Sequence, residues 1–191
     1  MSDRSVTRRE VTLAGGAAVL AMSLGEIGLA QAPARAKLRL LETTDLHVNV
    51  VPYDYYRDAR DDTVGLAKTA TLVKTAMAEA RNALLFDNGD FLQGSSMGDF
   101  VAYKKGLKPG DIHPMVAAMN ALPYACGTLG NHEFNYGLDF LKAGLAAAKF
   151  PFVSANLETS DGKPFVEPWR ILERRIVDER GAEQPIRIGV I

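Results

Sequence analysis

Three features of the sequence predict an α/β fold. Short apolar runs at Leu40-Leu41, Ala83-Leu84-Leu85-Phe86 and Tyr124-Ala125-Cys126-Gly127-Thr128-Leu129 have the length and character of buried strands. The segments between and after them repeat apolar residues at spacings of three and four, one face of an amphipathic helix. Each run also ends in a cluster of carboxylate, imidazole or amide side chains, where a parallel sheet meets its ligands. With 191 residues, 47% hydrophobic and 24% charged, the chain has the composition of one globular domain with a sizeable core.

The amino terminus stands apart. Thr7-Arg8-Arg9-Glu10-Val11-Thr12-Leu13 places two arginines before an uncharged run from Val11 to Gly25, and resembles a twin-arginine export signal. That run of 15 residues is too short, at about 1.5 Å per helical residue, to cross a hydrocarbon core of about 30 Å. No stable membrane anchor is therefore expected. Ala34-Arg35-Ala36 offers a small-x-small cleavage site, so residues 1–36 are read as an export signal and 37–191 as the mature, slightly acidic domain. Such a leader implies the export machinery as a partner and the periplasm as the destination.

Within the domain, Leu40 to His47 reads as a strand that enters the interior and emerges polar. On an extended backbone residues two apart share a face, so Asp45 and His47 are expected to point together with Leu46 turned into the core. Val50 to Asp62, with Tyr53, Tyr55 and Tyr56, shows no clean period and reads as a long surface loop. Leu66, Ala70, Val73, Met77 and Ala80 mark a helix. Ala83 to Phe86 is the second strand, running into Asp87-Asn88-Gly89-Asp90, where Gly89 permits a sharp turn that thrusts Asp90 toward a common centre. Asp111 reads as the cap of a helix that tolerates Pro114 in its first turn and is buried through Ile112, Val116, Met119 and Leu122. His113, at the exposed start of that helix, reads as structural.

Tyr124 to Leu129 is the third strand and delivers Gly130-Asn131-His132-Glu133; Leu138, Leu141, Leu145 and Ala148 mark the helix after it. Phe150 to Asn156 reads as a fourth strand, with Asn156 left outside the site. Ile171–Val177 and Ile186–Ile191 read as a hairpin whose Arg174-Arg175 pair is solvated. The last strand stops in mid-course, and the sequence is read as the N-terminal part of a longer enzyme.

Charge and cysteine content narrow the chemistry. A formal net charge of −1 excludes the basic field that a nucleic-acid polymer requires. Cys126 is the single cysteine, so neither an intrachain disulfide nor a thiolate metal cage exists. Parallel connections bring strand-end clusters to one edge, which gathers Asp45, His47, Asp90, Asn131 and His132. Oxygen and imidazole donors without sulfur suit Mn, Zn, Fe, Co or Mg. Two such ions sharing a carboxylate would clamp a phosphoryl group, which makes a phosphoester the natural substrate.

Asp45-x-His47, Gly89-Asp90 and Gly130-Asn131-His132-Glu133 resemble the first three motifs of the calcineurin-like metallophosphoesterases. Thr43-Thr44-Asp45-Leu46-His47, Tyr53-Asp54-Tyr55-Tyr56, Gln93-Gly94-Ser95 and Gly110-Asp111-Ile112-His113-Pro114 are similar to the branch of the 5′-nucleotidase family that acts on 2′,3′-cyclic nucleotides. The resemblance spans residues 37–191. It implies a four-layer αββα sandwich, of which this chain is the N-terminal part only. It also implies that two divalent ions serve as cofactors, that Asp45 and His47 bind the first, Asp90 bridges, Asn131 binds the second, and His132 is catalytic. The reaction implied is opening of a 2′,3′-cyclic nucleotide to a 3′-nucleotide, followed by release of phosphate from that small-molecule substrate.

Asn135 stands where 5′-nucleotidases commonly carry an Asp that orients the histidine, which points away from simple 5′-nucleotidase activity. No histidine follows His132, although the family requires further histidine ligands downstream. The 191-residue chain alone is accordingly expected to bind metal weakly and to turn over little substrate. Two other readings remain open at this point, a noncatalytic or partner-completed metal-binding domain and a related exported sulfur-oxidation hydrolase. No residue is assigned to substrate binding.

Overall fold

The structure, a computed structural model, describes residues 34–191. The expected export signal lies outside the described residues but for its last three, which belong to neither helix nor strand. No helix among the described residues is long and apolar enough to cross a membrane.

A parallel sheet organises the domain. Strand β1 (Arg39–Thr43) pairs with β4 (Ala83–Asp87), and β4 pairs with β5 (Tyr124–Gly127), in the spatial order β1-β4-β5. Thr43 lies opposite Asp87, and Asp87 opposite Gly127, so the three strands end level and their following loops emerge side by side. Beyond β5 the expected fourth strand is reduced to a parallel bridge, Gly127 with Phe152, closed by Gly127 N to Pro151 O and Val153 N to Gly127 O, each 2.9 Å. Pro151 accepts in that ladder and has no N–H with which to extend it.

Helix α1 (Leu66–Ala78) buries Leu66 and Val73 as its periodicity predicts. No side chain caps it; instead Leu66 N donates to Asn49 O and Ala67 N to Val50 O, which ties the helix start to the loop after β1. The supposed loop at residues 50–62 contains a small hairpin, β2 (Tyr53–Asp54) with β3 (Ala59–Arg60). Its turn is held by the Asp54 carboxylate, which accepts from Tyr56 N and Arg57 N.

After β4 come α2 (Ser96–Asp99) and a wide π-type turn, Phe100–Lys105. Neither was anticipated, because Phe100 and Tyr103 are 57% and 69% exposed and leave no apolar period to read. Helix α3 (Pro114–Met119) is capped by His113, whose Nδ1 accepts from Met115 N at 3.2 Å, rather than by Asp111. Asp111 closes the preceding turn by accepting from Lys108 N. His113 is fully buried with its ring edge-on to Phe140, and Ile112 is the residue left outside, which reverses the expected placement of the pair. Val116, Met119 and Leu122 are buried as expected.

Helix α4 (Leu138–Ala146) buries Leu141 completely but leaves Leu138 51% exposed. The chain closes with the antiparallel hairpin β6 (Arg170–Val177) and β7 (Glu183–Val190). Asp178 shapes its turn by accepting from Arg180 N and Ala182 N, and Arg175 pairs with Glu183 at 2.7 Å on the exposed face. Asn82 joins the hairpin to the start of β4 through two hydrogen bonds with Val177, donating Nδ2 to its carbonyl and accepting from its N–H at Oδ1. The core lies between sheet and helices, with Leu85, Phe91, Leu92, Met115, Met119 and Leu141 each at 0% exposure.

Candidate metal centre

The loop after β1 does not continue as a strand. Asp45, His47 and Val48 have φ of 53°, 45° and 57°, in the left-handed region. The same-face alternation expected for Asp45 and His47 therefore does not apply; a left-handed turn folds them toward each other instead. Each such residue costs about 1–2 kcal/mol, and neighbouring main chain holds them in place. Asp45 N donates to Gly89 O (3.0 Å), His47 N to Asp90 O (2.9 Å) and Val48 N to Phe91 O (3.2 Å), so the first loop zips along the second. Leu46 is partly buried against the core, as expected.

The second loop turns at Gly89 and Asp90, with φ of 91° and 60°. A Cβ on Gly89 would lie 2.4 Å from Gly130 N, and one on Gly130 would lie 2.2 Å from Asp90 Oδ1. Glycine at both positions is thus what lets the second and third loops press together.

Asp45, His47 and Asp90 each offer a ligand atom, and these atoms all lie within 4.8 Å of one another. His47 Nδ1 stands 2.7 Å from Gln93 O. A carbonyl can only accept, so Nδ1 carries a proton and Nε2, 3.5 Å from Asp45 Oδ1, is the ring nitrogen left for a metal. This is how a metal-binding imidazole is oriented from behind. Asp45 Oδ2 accepts from the Thr44 hydroxyl, and Asp90 Oδ1 accepts from His132 N at 2.9 Å. Two carboxylates and an imidazole, free of sulfur, fit a hard or borderline divalent ion.

Asn131 is exposed and leads into the 3₁₀ turn His132–Phe134. The His132 ring meets the His47 ring edge-on with centroids 5.2 Å apart, and its Nδ1 lies 3.0 Å from Asn135 Nδ2. An amide NH₂ donates, so in this arrangement Nδ1 accepts and the His132 proton resides on Nε2. All five residues selected from the sequence thus stand on three adjoining loops at one sheet edge. His113 is remote in role, occupied with its helix cap.

Two further carboxylates shape the site without having been singled out. Glu133, at 0% exposure, accepts from the main-chain N–H groups of Asp90, Phe91, Leu92 and Gly130. Asp87, 2% exposed, accepts from the Thr43 hydroxyl at 2.6 Å and from Gly89 N; Thr43 in turn meets Tyr124 Oη at 2.8 Å. Burial pushes the Asp87 carboxyl up to about 7. Both residues sit inside motifs visible in the sequence, but their burial depends on neighbours that sequence spacing does not reveal.

The family model of the calcineurin-like phosphoesterases matches residues 38–183. A 2′,3′-cyclic-nucleotide 2′-phosphodiesterase/3′-nucleotidase of Yersinia enterocolitica is 48% identical over 96% of this chain and 28% of its own length. The protein of the same name from Salmonella typhimurium is 50% identical over 83% of this chain and 24% of its own length. Among solved structures, the calcineurin-like phosphoesterase YfkN of Bacillus subtilis superposes with a TM-score of 0.77 and 44% identity, over 82% of this chain and 48% of that one. The chain spans 28% and 24% of the length of these two curated relatives.

Proposed function

The chain belongs to the calcineurin-like phosphoesterase family, and on that premise we propose that it forms the first metal-binding and catalytic elements of an exported nucleotide phosphoesterase. The reaction proposed is opening of a 2′,3′-cyclic nucleotide to the 3′-nucleotide and then release of phosphate. The observation that carries this reading is the convergence of Asp45, His47 and Asp90 within 4.8 Å on loops that glycines hold in contact. Asp45 and His47 would hold one divalent ion and Asn131 a second, with Asp90 shared between them. Bound divalent ions supply Lewis-acid polarisation of the phosphoryl group and lower the pKa of a coordinated water.

The chain's own residues do the positioning. Gln93 O fixes the His47 ring so that Nε2 is the ligating atom. His132, steadied at Nδ1 by Asn135, presents its Nε2 proton to the leaving ribose oxygen and answers the charge that develops there. Residues 1–36 act as the export signal, and 37–191 supply the N-terminal portion of the catalytic domain in the periplasm.

The test is product analysis with the protein as its native gene encodes it, supplied with Mn²⁺ and given 2′,3′-cyclic AMP, 3′-AMP, 5′-AMP and a sulfur ester in parallel. Cyclic AMP and 3′-AMP are expected to be turned over in preference to the other two, and Asp90→Asn to abolish that turnover. Preference for the sulfur ester would overturn the substrate class. Mn²⁺ binding with no turnover of any of the four would mark a metal-binding domain instead.

A further inference from the structure

Glu133 has a carboxylate buried to 0% exposure whose partners are main-chain N–H groups from two different loops. Oε1 accepts from Phe91 N at 2.7 Å and Leu92 N at 3.0 Å. Oε2 accepts from Asp90 N at 2.8 Å and Gly130 N at 2.6 Å. These bonds occupy both oxygens. Three of the donors belong to the loop that carries Asp90; the fourth directly precedes Asn131 and His132. A single carboxylate can reach both sets only because the backbones touch, with a Cβ on Gly89 falling 2.4 Å from Gly130 N.

We propose that Glu133 is the positioning residue of the metal centre: by gathering four amides from the two loops it fixes Asp90 relative to Asn131 and His132, and so sets divalent-cation affinity without touching the ion. The inference rests on the metal reading given above. Its logic is geometric. Asp90 also receives His132 N at its Oδ1, so a shift between the loops moves the ligand atom as well as the backbone beneath it. Glutamine has nearly the same shape but replaces one oxygen with an NH₂, which would face two N–H donors and leave them unpaired. Aspartate keeps both acceptors on a side chain one methylene shorter, which cannot span the two loops.

Amide hydrogen exchange and Mn²⁺ titration on the protein as its native gene encodes it test this together. In the wild type the amides of Asp90, Phe91, Leu92 and Gly130 are expected to exchange as slowly as that of Leu85 in β4. In Glu133→Gln those four are expected to exchange fast while Leu85 and Cys126 stay protected, and the Mn²⁺ dissociation constant to rise about 10–100-fold, the range typical of residues that orient metal ligands. Unchanged Mn²⁺ affinity in Glu133→Gln with the sheet still protected would overturn the proposal, as would rapid exchange of the four amides in the wild type. Should Glu133→Gln fail to fold, Glu133→Asp takes its place under the same two criteria. Failure of the wild type to bind Mn²⁺ would sink the metal reading and the affinity role with it, whereas the exchange data would still decide whether Glu133 couples the loops.

Discussion

At the scale of single residues, Asp87 shows how burial changes the behaviour of a side chain that stands three positions from the proposed ligand Asp90. Its carboxyl, held between Thr43 and Gly89 inside the sheet, is raised to about 7 from 3.8 chiefly by desolvation. The folded state therefore binds this proton more tightly than the unfolded one. Stability from the protonated group is fully present below about pH 4 and is lost as pH rises through 7. Asp87→Asn removes the charge and can keep both contacts. Urea unfolding should find it more stable than wild type by roughly 2–4 kcal/mol at pH 8 and little different at pH 4; an equal difference at both values would show that Asp87 is not the titrating group. Gly130 supplies a second residue-level prediction. A Cβ there would fall 2.2 Å from Asp90 Oδ1, so Gly130→Ala should weaken Mn²⁺ binding about 10–100-fold, read by calorimetry. Wild-type affinity in that variant would mean that Asp90 can shift without cost and is not held for a ligand's purpose.

At the scale of elements, periodicity located α1, α3 and α4 but not which end of each face would be covered. Leu138 and Leu141 both lie on the apolar stripe of α4, yet one is 51% exposed and the other 0%. Leu141→Ala should cost about 2–5 kcal/mol and Leu138→Ala less than about 0.5 kcal/mol in thermal or urea unfolding. Equal costs would mean that the helix packs in another rotation. The cap of α3 follows the same lesson. Asp111 has the chemistry of a cap, but Pro114 begins the helix and His113 is the residue whose side chain accepts from Met115 N in its first turn. Where the chain offered no period, as in Ser96–Asp99 and Phe100–Lys105, structure arose that a pattern of burial could not announce.

At the scale of the whole molecule, the sheet delivers three loops to one edge, and the leader is proposed to deliver the domain to its compartment. Mass analysis of the exported protein should find Lys37 as its first residue; retention of residues 1–36 would end the signal reading. The alternation of apolar runs with helical stripes determined the α/β class, because strand and helix periods are local properties of the chain. Motif content likewise determined Asp45, His47, Asp90, Asn131 and His132 as candidates, since they follow apolar strands at the sheet edge where a parallel sheet meets its ligands. Tertiary structure decided how they meet. Left-handed backbone at Asp45 and His47, not strand alternation, turns those two together, and that conformation is imposed by bonds to a loop more than forty residues away. It also decided that Glu133 and Asp87 would be buried carboxylates, one clamping two loops and one locked within the sheet. Desolvation and contact between distant segments are properties of the packed molecule, and no spacing along the chain encodes them one residue at a time.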